Sequence, residues 1–205
     1  MGTYMQTSPK ILEAVNAIRE ALAARVDQIR SQPGLNTDAM QCLVARAWVA
    51  AKADMDKLSG SNTAATDARK RVLTAKVWGI DDVPGDRASA AISYRDAQDR
   101  AAALDTPHAA MWLLDTAERT GDELLARAIA SRADTMGWSE VSDQYFATRP
   151  AKAAAFAELQ QLVPSLKNLS IADLLMYALP YPSGFAGSSE YRMTQAANDP
   201  RFTNI

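Results

Sequence analysis

The chain has 205 residues, with 22 Lys and Arg against 24 Asp and Glu and a net charge of -2. That length suits one substantial core or two small ones, and so small a net charge supplies no field to hold a polyanion such as DNA. One cysteine, Cys42, and one histidine, His108, exclude an internal disulfide, a Cys/His zinc set and any catalysis needing two histidines.

Ala, Leu, Arg, Asp and Glu dominate and β-branched runs are scarce, which predicts helix almost throughout. Ser8 and Pro9 form a helix start, with Ser as N-cap and Pro at the first helical position. Ile11, Val15, Ile18, Leu22, Val26 and Ile29 then recur at steps of three and four, a narrow coiled-coil-like seam, until Gln32-Pro33-Gly34 stops it. A second start at Asn36 or Thr37 precedes Met40, Val44, Ala47, Ala51, Met55 and Leu58 in the same stepping, and Ser59-Gly60-Ser61-Asn62 is expected to close the element. The short Pro-Gly connection predicts an antiparallel hairpin over residues 1–62. Two paired helices enclose little interior, so Trp48 beside the seam is expected to pack on the rest of the chain or on a partner.

Residues 63–179 read as a bundle of short helices. Thr63 or Thr66 starts one through Ala68, Val72 and Leu73, ending near Gly79, with the basic triplet Arg69-Lys70-Arg71 on a solvated face. The break from Gly79 to Asp86 holds Asp81, Asp82 and Asp86, but not with the spacing of a twelve-residue calcium loop; it reads as a turn and cap. Residues 87–104 resume as helix with Ile92, Ala97, Ala101 and Leu104 inward. Thr106-Pro107 opens a helix through Met111, Leu114 and Ala117. Thr120 with Glu123 forms a capping box for Leu124, Leu125, Ala128, Ile129 and Ala133. Ser139 caps a short helix with Val141 and Tyr145, and Thr148 with Pro150 starts another with Phe156, Leu159 and Leu162. A last helix is expected from Ser170, with Asp173 at its capping-box position and Leu174, Leu175 and Tyr177 following.

The stretch AAMWLLDTAERTGDELLARAIASRADTMGWSEVSDQYFATRP resembles one helical hairpin of the tetratricopeptide kind, with Gly121-Asp122 between helices and alanines where helices approach. Arrays need about three such repeats, so this is a packing pattern and does not imply a peptide groove. Residues 180–205 differ in kind. Pro180, Pro182, Gly184, Gly187 and Pro200 prevent a long regular element, yet Tyr181, Phe185, Tyr191, Met193 and Phe202 are too apolar for a solvating tail. An extended arm lying in a groove, of this chain or of a neighbour, is expected.

No apolar run reaches the ~18 residues needed to span a bilayer, and MGTYMQTSPK lacks the basic start and apolar stretch of a signal peptide. The protein is therefore expected to stay where it is made, or to be packaged from there. There is no Gly-x-Ser-x-Gly elbow, no Cys-His signature and no phosphate-binding glycine loop. His108, just inside a helix start, suits a surface or capping position. Catalytic, cofactor and metal residues are accordingly expected to be absent. The candidate contact residues are Trp48, Tyr181, Phe185, Tyr191, Met193 and Phe202.

From Val77 to Arg149 the runs VWGIDDVPGD, ISYRDAQDRAAAL and AERTGDELLARAIA, with the following Gly137-Trp138, resemble small helical proteins of unknown activity encoded by actinobacterial phages and prophage-like elements. The resemblance implies a setting among virion genes: a head or neck component, in the virion and assembled in the bacterial host cytoplasm, with capsid, portal or tail subunits as partners in a multi-copy assembly. A host-directed adaptor working through residues 107–163 is the alternative, and a small enzyme with a site of scattered carboxylates is the more remote one.

Overall fold

A computed structural model describes residues 9–83, 85–162 and 175–203. Among them every regular element is helical: α1 (Pro9–Arg30), α2 (Thr37–Trp78), α3 (Arg87–Ala102), α4 (Pro107–Thr120), α5 (Glu123–Met136), α6 (Ser139–Ala147), α7 (Pro150–Leu162), α8 (Glu190–Ala197) and a 3₁₀ turn at Pro200–Phe202. The protein is all-α. No described helix is long and apolar enough to cross a membrane. The caps expected at Ser8, Ser170 and Asp173 lie outside the described residues.

The chain divides into two compact units, residues 1–66 with 164–205 and residues 67–163. The division expected from sequence, at 62 and 179, does not follow these lines, and two features account for the difference. The first is α2, which runs through Ser59–Asn62 without a break. Gly60 costs a helix interior only about 1 kcal/mol relative to Ala, and Ser61 and Thr63 donate their hydroxyls back to the carbonyls of Leu58 and Ser59 at 2.9 and 3.0 Å. Side chains that would cap a new helix are spent on the existing one. The second is the C-terminal segment, which packs into the first unit and is not a separate arm.

In the first unit the two seams form one core. Val15, Leu22, Val26 and Ile29 of α1 are buried with Val44, Ala45, Trp48, Ala51 and Met55 of α2, and Leu179, Phe185, Met193 and Ala197 close it. The second unit is built around α5, which contacts α3, α4 and α6. Every residue of α5 from Leu125 to Ala130 is buried, as a helix covered on several sides must be. Alanines at 97, 101, 110, 117, 126, 128, 130 and 133 let these helices approach, and Leu114, Ile129, Val141 and Tyr145 fill the spaces between. In α3, Ala90, Ala97 and Ala101 face inward while Ile92 is exposed. Its expected inward position fails because the buried stripe follows the small residues.

Two helix starts also differ. Gly121 takes φ +70° at the end of α4, so the cap must follow it: Asp122, not Thr120, accepts the Leu125 amide at 3.0 Å. Thr120 instead bonds back to the Thr116 carbonyl at 3.0 Å. Ser139 is the first residue of α6 rather than its cap, which is Trp138, without a side-chain bond.

Candidate protein-interaction surface

The C-terminal segment is held on α1 and α2 by side chains that read its backbone. Arg19 donates to the carbonyls of Met176 and Ala178 at 2.8 and 2.9 Å, and Arg30 to the carbonyl of Ser183 at 3.0 Å. Arg46 donates to those of Ala197 and Phe202 at 2.9 and 2.7 Å. The Trp48 indole N–H donates to the Pro180 carbonyl at 3.1 Å. A segment without strand or helix partners leaves its carbonyls orphaned; here four side chains supply the donors, and charged donors make the stronger bonds. Apolar anchors complete the seating, since Trp48 stacks on Tyr181 with centroids 5.0 Å apart.

The six residues expected to make contacts therefore separate. Trp48, Phe185 and Met193 are buried in the first unit's own core, because the two seams alone leave the indole uncovered and the returning segment covers it. Phe202 is half-buried, with the Arg201 guanidinium 5.2 Å from its ring. Tyr181 keeps 37% of its surface and Tyr191 69%, and these two remain outward. Tyr191 borders a shallow depression with Thr194, Gln195 and Pro200.

A larger feature lies between α1 and α2. An open groove of ≈ 690 Å³ is lined by Ala17, Ile18, Ala21, Leu22 and Arg25 of α1 and by Leu43, Arg46, Ala47, Ala50, Ala51 and Asp54 of α2. Ala17, Ala21 and Ala50 are exposed, so the walls are low and the floor is apolar. Sequence reasoning passed over it. Its signal is a second set of alanines, at 17 and 21 on α1 and at 50 on α2, beside each large-residue seam.

The second unit holds a charge network. Arg127 is 1% exposed; its guanidinium donates to both oxygens of Asp82 at 2.9 and 3.1 Å, and to the Gly79 carbonyl. Lys152 also reaches Asp82 at 2.9 Å. Arg149 pairs with Glu123 at 2.5 Å and Glu118 at 2.7 Å while lying 4.2 Å from the Tyr145 ring centroid. Burial pushes the Asp82 carboxyl up, but the Lys152 ammonium and the Arg127 guanidinium beside it outweigh that and hold it below its ordinary value. Glu123 is likewise held low by Arg149 and Arg127 against burial. Burial and the Glu123 charge push the Tyr145 hydroxyl up to about 12.

The acidic turn is thus explained by structure. Asp82 anchors Arg127, Asp81 pairs with Arg87, and Asp86 caps α3 through the Ser89 amide at 2.9 Å. Among the described residues no group of three or more His, Cys, Asp or Glu is placed to hold a metal ion. His108 is exposed near the start of α4. In the basic triplet Arg69 pairs with Glu158 at 2.6 Å.

Fold and surface together define an all-α protein whose most developed concave feature, among those described, is a helix–helix groove. No family model matches the chain, no curated protein matches it, and no solved structure matches it.

Proposed function

We propose that the chain is a phage virion structural or assembly protein, a head or neck component without chemistry of its own. It binds other virion proteins in many copies and is assembled in the bacterial host cytoplasm. The observation that carries this reading is the open groove between α1 and α2, whose apolar floor this unit leaves uncovered among the described residues. An apolar floor between two helices is the kind of surface that receives a helix of another molecule. The exposed Tyr191 extends the contact surface, and the resemblance over Val77–Arg149 supplies the setting. Mass spectrometry of purified particles and of assembly intermediates tests it. The chain is expected at a fixed stoichiometry in one or both; its absence from every assembly stage refutes the proposal.

A host-directed adaptor is the second reading, favoured by Trp112 on α4, which is 65% exposed and of the residue type enriched at interface hot spots. Capture of one host protein from uninfected lysate, lost with Trp112→Ala, supports the adaptor over the virion component.

A further inference from the structure

The groove between α1 and α2 has a distribution of charge that selects its occupant. Arg25 and Arg46 stand toward the end nearer the connection at residues 31–36, and Asp54 stands at the other end. Asp54 lies eight residues beyond Arg46 on α2, about 12 Å along the axis. Ala50 falls midway between them. We propose that the groove is where two copies of this chain meet, face to face and antiparallel, about a two-fold axis that crosses the helices near Ala50.

In that arrangement Asp54 of each copy faces the Arg25 and Arg46 end of the other, so both ends of the interface pair opposite charges. A parallel arrangement sets arginine against arginine, which like-charge repulsion disfavours. Two-fold symmetry requires a self-complementary patch, and positive-apolar-negative along one groove is such a patch. The exposed Ala17, Ala21 and Ala50 permit close approach at the centre, where helices with small contact residues pack at about 8 Å. The lining runs from Leu43 to Asp54, about 17 Å along α2, so the groove forms the centre of the contact and the flanking turns of α1 and α2 must supply the rest of the ~800 Å² per partner of a standard interface.

The inference gives the groove a partner. It rests on reading the groove as a contact surface, but not on where the protein acts. Sedimentation velocity of the full chain, with helicity followed by circular dichroism, tests it. Wild type is expected to associate reversibly to twice its 22.2 kDa mass. Arg25→Glu and Asp54→Lys are each expected to weaken association by about tenfold or more, since each change acts twice across the axis. An equimolar mixture of the two variants is expected to regain near wild-type affinity. In the mixed dimer the glutamate introduced in one copy meets the lysine introduced in the other at one end, and the retained Arg25 meets the retained Asp54 at the other. Ala50→Arg sets two arginines together at the axis and is expected to give a monomer of unchanged helicity. Wild type that stays monomeric at about 100 μM, a dimer indifferent to Ala50→Arg, or a mixture no tighter than its components overturns the proposal. None of these results bears on whether the chain is found in particles, so failure of the dimer and failure of the virion role are read separately.

Discussion

Arg127→Ala is the sharpest test of how the second unit is held together. The guanidinium makes two bonds to Asp82 and one to the Gly79 carbonyl from a side chain that is 1% exposed. Bonds to charged groups are worth roughly 1.5–3 kcal/mol each, so the gross loss is large. The net loss is smaller, because Asp82 keeps Lys152 at 2.9 Å and Glu123 keeps Arg149 at 2.5 Å, and both carboxylates are open enough to water to be resolvated. The expected cost is therefore about 3 kcal/mol, the low end for breaking a buried pair. In a unit of ~100 residues that lowers the melting temperature by about 12–24 °C. Arg127→Met keeps the packing of the stem and should lose less. The control is Arg87→Ala, which removes an exposed pair with Asp81 and should cost no more than ~0.5 kcal/mol. Thermal unfolding followed by tryptophan fluorescence reads chiefly this unit, which holds Trp78, Trp112 and Trp138, while Trp48 reports on the other. If Arg127→Ala melts with Arg87→Ala, the network is ornament and the account of the second unit is wrong.

Met193→Ala removes a side chain that is fully buried in the first unit and should cost about 2–5 kcal/mol in urea titration; Cys42, buried with its thiol 3.7 Å from the Ala197 carbonyl, should then react faster with thiol reagents, and an unchanged rate refutes the seating of α8. Gly60→Ala should stabilise by about 0.5–1 kcal/mol, since Gly60 lies inside α2 with nothing within 4 Å of an added Cβ, whereas Gly121→Ala, at φ +70°, should destabilise by about 1–3 kcal/mol. Calorimetry distinguishes the two signs. Acid should loosen the second unit: Asp82 and Glu123 are held below their ordinary values, so their contribution is complete above the unfolded carboxylate range near ~4 and is lost as pH falls through the lower folded values. Asp134, raised by burial, acts with the opposite sign. Melting temperature against pH should be flat to about pH 5 and fall below about pH 4, with a shallower fall in Arg127→Ala.

The seams of α1 and α2 were legible because burial of one stripe imposes a period on the sequence: of the twelve apolar positions stepping by three and four, Val15, Leu22, Val26, Ile29, Val44, Ala51 and Met55 are buried and the rest border them. The continuity of α2 was not legible, because Ser-Gly-Ser-Asn carries the composition of a turn and only the back-bonding of Ser61 and Thr63 shows that it is helix. Arg127 was hidden for a related reason. Within Glu-Leu-Leu-Ala-Arg-Ala-Ile-Ala an arginine reads as the solvent face, and only the packing of α3, α4 and α6 around α5 turns that face inward. Its partner Asp82 lies 45 residues away, a pairing no local pattern encodes. Of the large residues in 180–205 expected to be seated, Phe185 and Met193 are buried while Tyr181 and Tyr191 are exposed, because which of them is covered depends on the gap the two seams leave elsewhere in the chain.

The seating of the C-terminal segment separates affinity from sequence specificity. Arg19, Arg30, Arg46 and Trp48 all donate to main-chain carbonyls, contacts indifferent to the side chain presented, apart from a second bond of Arg30 to the Ser183 hydroxyl at 2.5 Å. Selectivity then rests on the buried Leu179, Phe185, Met193 and Ala197, which must fit the gap the two seams leave. The outward residues between them, Tyr191 above all, are free of that requirement. Tyr191, at 69% exposure, accepts a hydrogen bond from the Gln195 side-chain amide at 2.6 Å on the outer face of α8, so its replacement by Ala should leave the seating of the segment intact.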